Sequence, residues 1–140
     1  MGFFDWFSRG KKPPTPTDPV KAFDLRIDAL AGRAGALRKS AATLLTVRRD
    51  LDRKLEGVAK QVEIAKTQHE KALGRGDTDS ASVLHQDQER FERDRTHLME
   101  QKAKVTADAE ALTAAVTAVE GEVEGLRRER DSARVRLAAV

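Results

Sequence analysis

Residues 72–77 have the sequence ALGRGD and separate two long stretches of the chain that both follow a seven-residue apolar repeat. Two glycines and an aspartate within four positions supply the backbone freedom of a turn and an acceptor for the first turn of a new helix. A turn here divides most of the chain into two arms. The fold therefore depends on whether these arms can pack against each other.

The arm before the turn carries apolar side chains at alternating spacings of three and four residues. When Val20 is assigned position a of a heptad, the a positions recur every seven residues as far as His69, and the d positions run from Phe23 to Ala72. Fourteen of these sixteen positions are apolar. This run is far longer than the three or four heptads that indicate a coiled coil.

The arm after the turn follows the same repeat less strictly. All nine d positions from Leu84 to Val140 are apolar, but only five of the nine a positions from Ala81 to Leu137 are.

All four prolines lie between residues 13 and 19, where they exclude a helix. Asp18-Pro19 then supplies an N-cap and a first helical residue. The predicted segments are an amphipathic segment at 1–12, a Pro-rich linker at 13–18, a helix at 19–73, a turn at 74–78 and a helix at 79–140.

The two repeats are compatible with an antiparallel hairpin. In such a hairpin the a layers of one helix face the d layers of the other, and pairing Leu44 with Ala109 makes the numbers of facing residues sum to 153. Ile27 then faces Leu126, and the midpoint between the numbers of two facing residues falls inside the turn. Registers shifted by one heptad place this midpoint at residue 73 or 80. The sequence thus predicts an all-α fold, a long antiparallel two-helix coiled-coil hairpin with a short N-terminal amphipathic segment.

Polar side chains interrupt the seam of the second helix as it approaches the turn. Lys102, Arg95 and Gln88 occupy a positions there. Long basic side chains can lay their methylene groups over a seam while the charge stays in water. Two interpretations remain open: these residues fix the register of the hairpin, or they bind a partner.

A stripe of small residues runs along the second helix on the side away from the seam. Its members recur at spacings of three and four residues: Ala103, Ala107, Ala111, Ala114, Ala118, Gly121 and Gly125. Small side chains let another helix approach closely, so the stripe predicts lateral assembly with copies of this chain or with related hairpins. Alanine is also the best helix former, and this alone could explain the stripe.

Residues 1–12 differ chemically from the rest of the chain. They contain four of the six aromatic residues and three basic residues, namely Phe3, Phe4, Trp6, Phe7, Arg9, Lys11 and Lys12. Aromatic residues followed by basic ones are typical of a segment that lies in the interface of an anionic membrane. The alternative is docking onto a neighbouring subunit or onto the hairpin itself. Arginines near the C-terminal end suit the same anionic surface: Arg127, Arg128, Arg130, Arg134 and Arg136.

Motifs for catalysis are missing from the sequence. There is no cysteine, the three histidines are His69, His85 and His97, and no glycine-rich phosphate loop or nucleophile motif occurs. His69 and His85 can approach each other near the turn, but two histidines alone make a poor metal site. We therefore expect no enzymatic activity, cofactor or metal, and no binding of nucleic acid.

Three motifs resemble the phage-shock-protein-A family, the bacterial branch of the ESCRT-III membrane-remodelling proteins, with its plastid vesicle-inducing relatives. DPVK at 18–21 is similar to the D-P-x-K start of the family's first hairpin helix. RRDLDRKL at 48–55 resembles its basic and acidic block. KALGRGD at 71–77 resembles the family's hairpin tip, A-L-x-x-G-x-E-D, and assigns Gly74, Gly76 and Asp77 to that tip.

The resemblance implies a non-enzymatic protein that binds the inner face of the cytoplasmic membrane from the cytoplasm. Its hairpins would polymerise there and stabilise or remodel the bilayer. The partners implied are anionic lipids and further copies of this chain or related hairpins. The alternative is a soluble coiled-coil adaptor whose aromatic N-terminal segment docks a protein partner.

Overall fold

The computed structural model describes residues 18–140. Helix α1 spans Pro19–Gly74 and helix α2 spans Thr78–Ala138; the sequence predicted helices over 19–73 and 79–140. The two helices pack extensively on one another, and the described residues contain no strand. The fold is therefore an all-α helical hairpin, as predicted.

The helices contribute to two compact units. Residues 18–36 and 116–140 form the first, here called the terminal unit. Residues 37–115 form the second, here called the turn unit because it contains the connection between α1 and α2.

All buried apolar side chains of the described residues lie at predicted a or d positions. They are Ile27, Ala34, Leu37, Ala41, Leu51, Val62, Ala65, Ala72, Ala81, Ala109, Val116, Val119, Val123, Leu126 and Ala133. Because members come from both helices and from both heptad positions, the assigned repeat is confirmed as the buried seam.

Within the terminal unit, the seam forms one small apolar cluster. Ile27, Val123 and Leu126 are buried, and Phe23 and Leu30 pack against them half-buried. The cluster contains both Ile27 and Leu126, the pair that the predicted register places face to face. In the described chain no large side chain falls below 2% exposure. Two helices cover each other along one stripe only, so the core of the hairpin is thin.

The turn ends α1 in a defined way. The N–H of Asp77 donates to the carbonyl of Ala72 at 3.0 Å, and the N–H of Gly76 donates to the carbonyl of Leu73 at 3.1 Å. These two bonds form a Schellman motif, whose C′ residue is left-handed. Gly76 occupies this position with a φ of 72°, the one positive φ in the described chain. Gly74, in contrast, is the last residue of α1.

Aspartates cap the first turns of both helices. Asp77 Oδ1 accepts a hydrogen bond from the N–H of Ser80 at 3.1 Å, and Asp18 Oδ1 accepts one from the N–H of Val20 at 2.9 Å. Hydrogen bonds from the side chain and then the backbone of Ser80 hold the pKa of Asp77 below its ordinary value of 3.8. The connection from α1 to α2 thus needs three residues, of which Gly76 supplies the bend and Asp77 the cap.

We predict that Gly76→Ala lowers the free energy of unfolding by roughly 1–2 kcal/mol, the cost of placing a side chain in left-handed backbone. Gly74→Ala is the matched control. A Cβ at either glycine meets no atom within 4 Å, so the two variants differ only in backbone conformation. Gly74→Ala should leave stability unchanged or raise it by up to about 1 kcal/mol. Urea denaturation followed by circular dichroism measures both; equal effects would contradict the assignment.

A second prediction concerns the pH dependence of the cap. Since the pKa of Asp77 is lowered in the folded state, its carboxylate stabilises the fold above pH 3.8 and loses this contribution as the pH falls through the folded-state pKa. Asparagine also caps helices but does not titrate. Wild type should therefore be more stable than Asp77→Asn at neutral pH, with a difference that narrows below pH 3.8. A constant difference across this range would refute the prediction.

Candidate assembly surfaces

An ion pair joins the two helices in the terminal unit. Arg130 Nη1 donates to Asp24 Oδ1 at 3.1 Å, and the Arg130 side chain is only 22% exposed. This hydrogen bond is the main reason that the pKa of Arg130 is raised above its ordinary value, with Asp131 contributing further. The guanidinium thus lies over the seam at an a position while its charge is neutralised by the opposite helix.

A second ion pair of the same kind joins the helices in the turn unit. Lys102 Nζ lies 2.6 Å from Asp52 Oδ1, with 36% and 43% of the two side chains exposed. In both pairs a carboxylate at position e of α1 meets a cation at position a of α2, and the residue numbers sum to 154. The pairs are separated by 28 residues, or four heptads, along each helix.

This repetition explains how the seam tolerates basic residues. A shift of the hairpin by one heptad would move Asp24 opposite Val123 or Leu137, so its carboxylate would lose its cation in either direction. Polar residues at a positions specify register at some cost in stability. The pair with Asp52 favours register control as the role of Lys102, because one slip moves Asp52 opposite Ala109, whereas the other moves it opposite Arg95. Arg95 is exposed, and the half-buried Gln88 hydrogen bonds along its own helix to Glu92 at 3.3 Å.

The small-residue stripe of α2 lies outside the seam. Its members from Ala103 to Gly121 are exposed, and Gly125 is half-buried. A Cβ added at Gly121 or Gly125 would meet no atom within 4 Å. Ala103 and Ala107, part of the predicted lateral-assembly set, help to line a groove in the turn unit.

This groove lies between α1 and α2 and has a volume of about 750 Å³. Leu55 and Ala59 line it from α1, and Met99, Ala103 and Ala107 line it from α2. Met99 is 56% exposed. Sequence reasoning missed this groove because Ala59 and Met99 occupy e positions, which flank the seam and are usually charged in coiled coils.

Local partners engage several of the C-terminal arginines. Arg127 Nη1 donates to Glu124 at 2.8 Å, Arg134 lies 3.9 Å from Asp131, and Arg136 Nε donates to the carbonyl of Ser132 at 3.4 Å. Exposed pairs of this kind are weak. Most of these arginines are therefore already oriented by neighbours on α2.

The two histidines near the turn approach each other as expected. The ring centroids of His69 and His85 are 5.5 Å apart, and His85 Nε2 lies 3.0 Å from Glu89 Oε1. Among residues 18–140, no group of three or more histidine, aspartate or glutamate side chains is placed to hold a metal ion.

The predicted membrane-binding residues, Phe3 to Lys12, lie outside the described residues. Between Asp18 and Val140, neither helix has a stretch apolar enough to cross a bilayer. No family model, curated protein or solved structure matches the chain. The resemblance to the phage-shock-protein-A family therefore stays a prediction.

We predict that a double-mutant cycle on Asp52→Ala and Lys102→Ala gives a favourable coupling of about 0.2–1 kcal/mol, because both side chains remain partly in water. The coupling should fall at high salt, where surface charges are screened. The control is the pair formed by Asp50 and Arg53 at 3.8 Å, which lies within α1 and is 61% and 80% exposed. A coupling for Asp52 and Lys102 no larger than in this control would argue against a role in register.

Proposed function

We propose that this chain is a non-enzymatic, self-assembling subunit that binds the surface of anionic membranes and stabilises or reshapes them, as ESCRT-III-type proteins do. In this proposal the hairpin is the assembling part, and residues 1–12 are the membrane-binding part. The Pro-rich linker at 13–18 separates the two, so that the segment can reach a bilayer while the hairpin packs against its neighbours.

The observation that carries the proposal is the amount of apolar side chain that the hairpin leaves outside its seam. Eight large apolar residues of the described chain are exposed outside the seam: Leu25, Leu45, Val47, Ile64, Leu73, Val83, Met99 and Val135. Leu137 and Val140 are also exposed, but they are the last a and d positions of the seam itself. Each of the eight side chains outside the seam would stabilise a contact by about 1.5–3 kcal/mol if a neighbouring hairpin buried it fully. Packing hairpins side by side would bury part of this surface against the small residues of α2.

Membrane binding is supported by the composition of residues 1–12. Phe3, Phe4, Trp6 and Phe7 can insert rings at the level of the headgroups, and the three basic residues that follow attract anionic lipid. One short segment binds weakly, and many segments on one assembly bind tightly because the later contacts are intramolecular. Self-assembly and membrane binding therefore reinforce each other.

The test is flotation of the purified chain with phosphatidylcholine vesicles, with and without phosphatidylglycerol. Replacing Arg9, Lys11 and Lys12 with glutamine should lower the partition coefficient on anionic vesicles roughly 100-fold, at about 1 kcal/mol for each charge. Replacing Phe4 and Trp6 with serine should abolish binding to both kinds of vesicle.

Replacing Lys39, Lys60 and Lys104 with glutamine is the matched control, because it removes the same number of exposed basic charges from the hairpin. It should leave flotation nearly unchanged. Equal recovery of wild type and of a chain lacking residues 1–12 would reject the membrane proposal. A discrete complex without filaments by electron microscopy, together with no flotation, would instead support the coiled-coil adaptor.

A further inference from the structure

Five of the six e positions of α1 in the turn unit, all those after Arg38, form a row with an internal symmetry. From one end of the row to the other, the residues are Leu45, Asp52, Ala59, Lys66 and Leu73. Reversing the row exchanges leucine with leucine and an acidic residue with a basic one, and leaves alanine at the centre. A row with this property is complementary to a second copy of itself that runs in the opposite direction.

The row is accessible in the hairpin. Leu45 and Leu73 are 44% and 55% exposed, and Lys66 is exposed. Ala59 is half-buried in the lining of the groove, to which Met99 and the exposed Arg95 of α2 also contribute. Each leucine leaves about half of its surface uncovered in its own hairpin and is large enough to stabilise a contact substantially when that surface is buried.

We infer that two copies of this chain pair through this row, with α1 against α1 in antiparallel orientation and a two-fold axis at Ala59. The inference deepens the proposed self-assembly by naming its surface, and it does not depend on membrane binding. In a two-fold interface each contact occurs twice. Asp52 of each copy lies beside Lys66 of the other, and Leu45 of each copy packs near Leu73 of the other.

The dimensions of the row suit a helix pair. Leu45 and Leu73 are four heptads apart, or about 42 Å along a helix that rises about 1.5 Å per residue. On a straight helix residues at a spacing of seven drift by about 20° per heptad, or about 80° over this row, and the left-handed supercoil that a sustained heptad repeat imposes removes the drift. Alanine at the centre lets the two helices approach to the lower end of the usual spacing of about 8–10 Å.

The neighbouring b positions extend the charge pattern. In the same register Arg49 of one copy lies near Glu70 of the other, which is a second complementary pair. Glu56 lies near Glu63 of the other copy, which is unfavourable. The pairing therefore predicts effects of opposite sign. Glu63→Gln should strengthen the dimer because it removes a repulsion, whereas loss of charge at Lys66 should weaken it because it removes an attraction.

Mixing of two charge-reversed variants tests the pairing directly. Asp52→Lys alone and Lys66→Asp alone each place like charges together twice, and each should weaken self-association roughly 10–100-fold in sedimentation equilibrium. An equimolar mixture of the two variants restores both opposite-charge pairs between copies and should dimerise more tightly than either variant alone. It should stay weaker than wild type, because Asp52→Lys also loses the pair with Lys102. This rescue distinguishes loss of the interface from damage to the hairpin, because Asp52 also binds Lys102 within its own chain.

Cysteine cross-linking tests the position of the axis. The chain contains no cysteine, so Ala59→Cys introduces a single thiol at the predicted axis. Helices about 9 Å apart bring the two Cα atoms to about 4–5 Å, within reach of a disulfide. Gly57→Cys is the control, since Gly57 is exposed on another face of α1 with no atom within 4 Å of an added Cβ.

Efficient disulfide formation at position 59 and little at position 57, together with rescue on mixing, would establish the interface. Equal cross-linking at the two positions, or no rescue on mixing, would overturn it. Flotation of the same variants keeps the two proposals apart. A chain that binds vesicles but shows neither rescue nor selective cross-linking would retain the membrane function and lose this interface.

Discussion

The antiparallel register of α1 and α2 is the constraint on which the remaining features depend. A two-helix hairpin has one seam, and each of its buried residues is covered only by the opposite helix. A slip by a single heptad would keep apolar residues opposite apolar residues over much of the seam, so hydrophobic burial alone distinguishes neighbouring registers poorly. The turn and the pairs between helices must supply this discrimination.

Two separate devices do so in the two units. In the turn unit, Gly76 in left-handed backbone and Asp77 as a cap fix where α1 stops and where α2 starts. In the terminal unit, far from the turn along the chain, Arg130 gives up apolar burial at an a position and gains an ion pair with Asp24. A lysine or arginine at such a position makes the hairpin less stable than leucine would. It destabilises a wrong register further, because there its charge meets no carboxylate.

The seam could be predicted from the sequence because its signal is repeated many times. Each heptad adds an independent observation of the same period, and the proline and glycine boundaries agree with it. The contact partners of Asp24 and Asp52 were not predicted, although their signal is present: acidic e positions four heptads apart, matched by basic a positions at the same spacing. The heptad pattern treats every charged e position as exposed to solvent, so it does not distinguish Asp24 and Asp52 from the other charged e positions. Leu45 and Leu73 are harder still, because nothing in their own hairpin explains an exposed leucine.

Asp52 connects the hairpin with the inferred dimer. Its carboxylate lies 2.6 Å from Lys102 of its own chain, and 43% of its side chain remains exposed. A carboxylate has enough lone pairs to accept hydrogen bonds from two cations, so it can bind Lys66 of a second copy without releasing Lys102. The cation on α2 also restrains the rotamer of Asp52, which lowers the entropic cost of meeting the second copy.

In a hairpin slipped by one heptad, the residue opposite Asp52 would be Arg95 or Ala109, and the carboxylate would be held differently or not at all. Assembly through this row would therefore favour chains whose arms are already in the correct register, so the residue that aligns the hairpin also selects which hairpins assemble.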